Sequence, residues 1–208
     1  MKRSLFNKLL SKVIPSLAEK TTELSTEELE QQEICIPNSE DPYDVVFAKV
    51  FTSEGGVFFY CDDKEDFYDM FKQLLTENNW NHSYCSNNEL KETLKPTELE
   101  FEIDYHKADS CIIDCEFLIA CKGSIMVSAA QTKGLKVEQL PEKTIVVAYT
   151  SQIVKDLNEG LRGLQVKYGK NRPSNVTSIR TKQSVTTGNI NKAKDLYVFL
   201  IEDYKETR

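Results

Sequence analysis

The stretch KDLYVFLIED, residues 194–203, contains six consecutive apolar residues, Leu196 to Ile201. A strand with one face in water alternates polar and apolar residues, so an unbroken run fits a central strand covered on both faces. VFFYC (57–61) and TIVVAY (144–149) have the same character, and each precedes a helical pattern. After VFFYC, Asp62 and Glu65 offer a capping-box-like start, and Phe67, Met70, Phe71, Leu74 and Leu75 recur at helical spacing. After TIVVAY, Ser151 opens a long helix through Ile153, Val154, Leu157, Leu161 and Leu164 to Gly169. Gly160 and Gly163 inside it each cost about 1 kcal/mol relative to Ala, which is compensated by close packing against the sheet or else marks a kink or an early end of the helix. Strands alternating with helices predict an α/β fold with a largely parallel sheet flanked by helices.

Shorter elements fill in the order. DVVFAKVFTSEGG fits a helix stopped at Gly55-Gly56, and NHSYC (81–85) a short strand. Ser86 with Glu89 caps a helix NELKETLK, and Leu99, Phe101 and Ile103 alternate as in a half-buried strand. EFLIACKGSIMVS (116–128) reads as two apolar strands around a Lys122-Gly123-Ser124 turn, and NVTSIR (175–180) as another strand. The chain divides into residues 1–42, a short amphipathic helix in MKRSLFNKLLSKVIP followed by a solvated linker, and an α/β domain over 43–208.

A formal charge of −7 argues against nucleic acid as a partner, because affinity for a phosphate backbone comes from Lys and Arg. Lys8 and Lys12 interrupt any signal-peptide core, and six apolar residues fall far short of the roughly 18 or more that a membrane span needs. The expected location is therefore cytoplasmic. Six cysteines are spread through a chain with 40% hydrophobic residues, which suits free, buried thiols. The spacing of Cys111, Cys115 and Cys121 lacks the paired pattern of zinc or iron–sulfur ligands, so no metal or other cofactor is expected.

Four groups are candidates for chemistry. Parallel α/β sheets bind ligands at the carboxyl ends of their strands, which directs attention to the loops after Cys61, Ala120 and Arg180. His106 lies near Asp104, Asp109 and Asp114, and reads as a solvated loop residue or an acid–base site. Asp114 and Glu116 flank Cys115 at a spacing that puts both carboxylates on one strand face, as a general acid/base pair or a polar edge. No phosphate-loop or GxGxxG pattern occurs. ACKGSIMVSAA (120–130) and NRPSNVTSIR (171–180) carry small hydroxyl residues beside Lys or Arg. They form either structural turns or a loop pair that holds an anion through backbone N–H groups, Ser124 and Ser174.

Five pieces in order resemble the lactate-utilisation (LUD) domain family, also called the lactate utilization protein C family. They are EGGVFFYC (54–61), CEFLIACKGSIMVSAA (115–130), LPEKTIVVAYTSQIVKDLNEGLRGLQVKYG (140–169), RPSNVTSIR (172–180) and KDLYVFLIED (194–203). The resemblance implies an α/β fold related to the sugar-isomerase and coenzyme A-transferase type. It also implies a role in bacterial oxidation of lactate to pyruvate, with iron–sulfur subunits or another LUD-domain protein as partners. Where the family commonly reads Glu-Thr-Gly-Thr, this chain has Cys121-Lys122-Gly123-Ser124; where it reads Gly-Pro-Ser-Arg-Thr-Ala-Asp-Ile, the chain has Arg172 to Ile179, with Ser178 in place of the acid. The later Gly-x-His-Gly-Pro element is reduced to TTGNINKAKDL (186–196), without its histidine. With the acids replaced and Lys122, Arg172 and Arg180 present, Lys122, Gly123, Ser124, Ser174 and Arg180 are expected to bind a small carboxylate or phosphate. The expected role is a non-redox accessory subunit. An acyl- or phosphosugar-handling enzyme using Glu116, or a degenerate paralogue that serves only as an interaction partner, are the alternatives.

Overall fold

The apolar run at 196–201 becomes the strand on which both halves of the molecule hang. A computed structural model describes residues 40–173, 175–182 and 193–203, so the expected amino-terminal helix lies outside the described residues. The elements run α1 (Tyr43–Ser53), β1 (Val57–Cys61), α2 (Lys64–Asn78), β2 (His82–Cys85), α3 (Asn88–Leu94), β3 (Glu100–Glu102), β4 (Ser110–Asp114), β5 (Phe117–Ile119) and β6 (Ser124–Ser128). They continue with α4 (Ala129–Thr132), β7 (Lys143–Tyr149), β8 (Ile153–Val154), α5 (Leu157–Tyr168), β9 (Val176–Thr181) and β10 (Ala193–Ile201).

The strand order is β3-β2-β4-β7-β10-β9-β6-β5-β8, with β1 also paired to β10. One edge of β10 carries β7 in parallel from Asp195 to Ile201. Its other edge is shared end to end: Ala193 and Lys194 pair with β9, and Tyr197 to Ile201 pair with β1. The main sheet is parallel throughout. Beyond β9 the sheet becomes mixed, because β6 runs antiparallel to both β9 and β5. The result is an α/β fold with a mostly parallel sheet flanked by helices.

Both faces of β10 are covered, as its lack of alternation requires. Leu196, Val198 and Leu200 face the core shared with α1, where Phe47 stacks on Phe51 at 5.3 Å. Phe199 and Ile201 face α2, and the Phe199 ring lies 4.4 Å from Phe59 and 5.4 Å from Phe67. Such aromatic pairs add about 0.5–1.5 kcal/mol each beyond the area they bury. The second, mixed part of the sheet has its inner face on the α1 core and its outer face under α5. Phe117, Ile119, Met126, Val154 and Leu164 make up that smaller cluster.

Helix starts differ from expectation in three places. The cap of α2 is Asp63, whose carboxylate accepts the Asp66 N–H at 2.9 Å, while Asp66 accepts the Asp62 N–H. The cap of α3 is Asn87, not Ser86, whose hydroxyl instead donates to the Gln131 carbonyl. The helix expected from Ser151 begins only at Leu157, with Asp156 accepting the Glu159 N–H and Glu159 accepting the Lys155 N–H. Ile153 and Val154 form β8 against β5, because one side chain serves the α1 core and the other the α5 cluster. An extended pair can serve two faces; consecutive helical residues would turn only about 100° apart. The Leu99/Phe101/Ile103 strand is likewise shorter than its alternation, and Ile103 is 95% exposed beyond its end.

Of the two readings of the α5 glycines, close packing is the one present, and the helix runs unbroken from Leu157 to Tyr168. A Cβ on Gly163 would meet the Phe117 ring at 2.5 Å, and one on Gly160 the Met126 methyl at 2.8 Å. Gly163→Ala should therefore destabilise the protein by about 1–2 kcal/mol in urea unfolding, overpacking outweighing the gain in helix propensity. An increase in stability would show that Phe117 yields freely.

Candidate functional site

The β5–β6 hairpin is held from three sides, and its turn is where the expected ligand residues begin. The chain leaves the main sheet at Cys115: Asp114 still pairs with Val147 on β7, whereas the Glu116 N–H donates to Met126 on β6 at 2.8 Å. The two carboxylates expected to share a strand face therefore belong to different parts of the sheet. Asp114 Oδ1 is buried with no hydrogen-bond partner among the described residues.

Glu116 is held by three side-chain donors. Its side chain has no exposed surface; it accepts from Lys167 Nζ at 2.8 Å and from Tyr168 Oη at 2.9 Å. Ser128 Oγ lies 2.8 Å away. Burial alone would raise the Glu116 carboxyl, but the hydrogen bonds from Lys167, Ser128 and Tyr168 and the Lys167 charge outweigh it and hold the carboxyl below its usual range. Burial opposes the Lys167 ammonium too, and the bond to Glu116 raises it in spite of that. A buried carboxylate with its oxygens occupied fastens the end of α5 to the hairpin, and it is not presented to an acyl donor. Sequence reasoning placed Glu116 beside Asp114 and as the acid of an acyl-handling site, and missed Lys167 and Tyr168 because they lie 51 and 52 residues further on.

The Lys122-Gly123-Ser124 turn packs beneath α1. Gly123 has φ +51, and a Cβ there would lie 2.9 Å from the Phe51 backbone nitrogen. Ser124 is buried at the start of β6, and Lys122 faces solvent next to exposed Cys121. On β9, Ile179 pairs with Ile125, so Arg180 and Ser124 occupy the same end of the β6–β9 pair. Arg180 is exposed. Ser174 lies outside the described residues; its neighbour Asn175 accepts the Ala129 N–H at the opposite end of that pair. The structure thus brings Lys122, Gly123, Ser124 and Arg180 to one end.

The other candidates do not assemble. Asp109 accepts the N–H groups of Asn81 and His82, and Asp104 accepts that of His106, whose ring lies 4.1 Å from Tyr105. Asp114 is at the far end of β4 from them. Cys61, Cys85, Cys111 and Cys115 are buried and free, and burial pushes the Cys85 thiol up to about 11 and raises the other three also. At the carboxyl ends of β7 and β10, sequence reasoning missed a closed cluster. Asp203 accepts from Ser151 Oγ at 2.5 Å, the Ser151 N–H at 3.0 Å and Thr150 Oγ1 at 2.7 Å, and Glu202 accepts from Thr150 and Tyr60. Burial would raise the Asp203 carboxyl, but these bonds hold it low.

With the fold and the hairpin described, comparison becomes informative. The family model of the LUD domain matches residues 46–201. The chain belongs to the LUD domain family. The match takes in every strand among the described residues and the whole hairpin. No protein of curated function matches the chain in sequence. Among solved structures, this LUD domain is similar to the crystal structure of a DUF162 family protein from Deinococcus radiodurans, with 15% identity and a TM-score of 0.59. The match covers 80% of this chain and 100% of that one, and the two share a fold.

Two outcomes test the hairpin. Gly123→Ala combines a left-handed backbone with a contact against main-chain atoms of α1, and should cost about 2–3 kcal/mol in urea unfolding. Lys167→Met leaves Glu116 buried without its cation and should cost about 1–3 kcal/mol at pH 7, discounted because Lys167 is half exposed. Because the Glu116 carboxyl is held low when folded, its stabilisation is complete above the ordinary carboxylate range and disappears as pH falls through the folded value. The gap between wild type and Lys167→Met should accordingly close in acid. A gap that stays constant from pH 7 to pH 3 would refute the assignment.

Proposed function

We propose that this LUD domain serves lactate utilisation, the oxidation of lactate to pyruvate, as an accessory subunit without redox chemistry of its own. In this reading it holds a small anion, a carboxylate or a phosphate, at the end of the hairpin, and works beside iron–sulfur subunits or another LUD-domain protein. The observation that supports it is the placement of Lys122 and Arg180. Both cations are exposed at the same end of the β6–β9 pair, and neither has an ion-pair partner among the described residues. Gly123 keeps the turn tight against α1, so Lys122 is projected from a rigid base. Thiols that burial keeps protonated suit core packing more than ligation of a cluster, which favours a non-redox role.

Isothermal titration of the purified chain with lactate, pyruvate and phosphate tests this. Heat is expected with at least one of them. Lys122→Ala and Arg180→Ala should each weaken it by at least about tenfold, the equivalent of roughly 1.5 kcal/mol for a hydrogen bond to a charged group, with unfolding unchanged. No heat with any of the three, or binding indifferent to both substitutions, would sink the reading.

A further inference from the structure

Charge is unevenly placed on this LUD domain. Residues 155–180, which hold α5 and β9, carry six basic and two acidic side chains. Residues 86–104, which hold α3, β3 and the turn just beyond it, carry two basic and six acidic ones. These groups lie towards opposite ends of the strand order: β3 closes one end, and the mixed part β9-β6-β5-β8, with α5 packed on β5 and β8, closes the other.

The basic end is also the apolar end. Of the six large apolar side chains exposed among the described residues, Leu157, Leu161, Val166 and Val176 fall within it. Met126 lies under Gly160 of α5 and pairs with Ser178, so Val176, two residues away, shares the outer face that α5 covers. Lys155, Arg162, Lys170 and Arg172 are exposed there, with no ion-pair partner among the described residues. At the acidic end, Glu98, Glu100 and Asp104 are exposed around Ile103, the most exposed of the six. Scattered apolar residues on a surface need no explanation. Here, however, a cationic rim with apolar residues at one end of the molecule matches an anionic rim with an apolar residue at the other.

We propose that the α5–β9 face of one copy of this chain docks on the β3 end of a second copy. The contact is head to tail: each copy offers one face and leaves the opposite one open, so assembly gives a ring or a filament rather than a symmetric pair. Glutamates along β3 oppose strand-to-strand addition, and the contact is made by side chains. Because the rims are exposed, association weakens as salt rises.

Sedimentation velocity of the full chain at low and high ionic strength, over a wide concentration range, tests this. Association is expected at low ionic strength and should fall by at least about tenfold at high ionic strength. The charge reversals Lys155→Glu/Arg162→Glu and Glu98→Lys/Glu100→Lys should each give a monomer with the circular dichroism of the wild type, and an equimolar mixture of the two should associate again. A wild type that remains monomeric, variants that associate unchanged, or a mixture that stays dissociated would overturn the proposal. Capture of a monomeric wild type on vesicles of anionic lipid, lost in Lys155→Glu/Arg162→Glu, would overturn it in favour of a membrane surface.

Discussion

Everything in this LUD domain depends on how β10 is paired. Its carboxyl-terminal half lies between β7 and β1, and its first residues lie against β9, so one strand belongs to the parallel sheet and also starts the mixed one. The Thr181 hydroxyl donates to the Glu54 carbonyl where β9 gives way to β1, which ties the two half-edges together. Unalternating apolar residues are what such a position needs: Val198 serves one face and Phe199 the other, both fully buried. A polar residue at either place would be left without water or a partner, at a cost of about 1–3 kcal/mol or more.

The hairpin is positioned by this arrangement rather than by its own stability. Two short strands in isolation are marginal in water. α1 closes on the turn at Gly123, α5 closes on the outer face through Gly160 and Gly163, and Glu116 ties α5 back to the base. Glycines at the contacts and a buried carboxylate between them have one effect in common, which is to bring helices and strands closer than ordinary side chains permit. Lys122 and Arg180 project from a rigid frame as a result.

Local chemistry was legible in the sequence wherever it was self-contained. VFFYC and TIVVAY announced buried strands, Gly55 the stop of α1, and Gly160 and Gly163 a tight helix contact, because each signal lies within a few residues. Asp156 with Glu159 was an equally local cap, but it was obscured by Ile153 and Val154, whose apolar character fits a helix or a strand until their separate partners are known. The network around Glu116 and the cluster around Asp203 could not be read, since each joins groups about fifty residues apart. The change of sheet at Cys115, which separates Asp114 from Glu116, leaves no mark in spacing at all.

The position of β10 in the chain has a kinetic consequence. It is the last strand among the described residues, yet β1, β7 and β9 all pair with it, and β1 does so across about 140 residues. Loop closure on that scale must be met before the pairing is rewarded, so β1 has to wait with VFFYC unpaired. Until synthesis reaches Ile201, the edges of β7 and β1 have no strand between them. The growing chain is then most exposed to the wrong partner shortly before it acquires the right one.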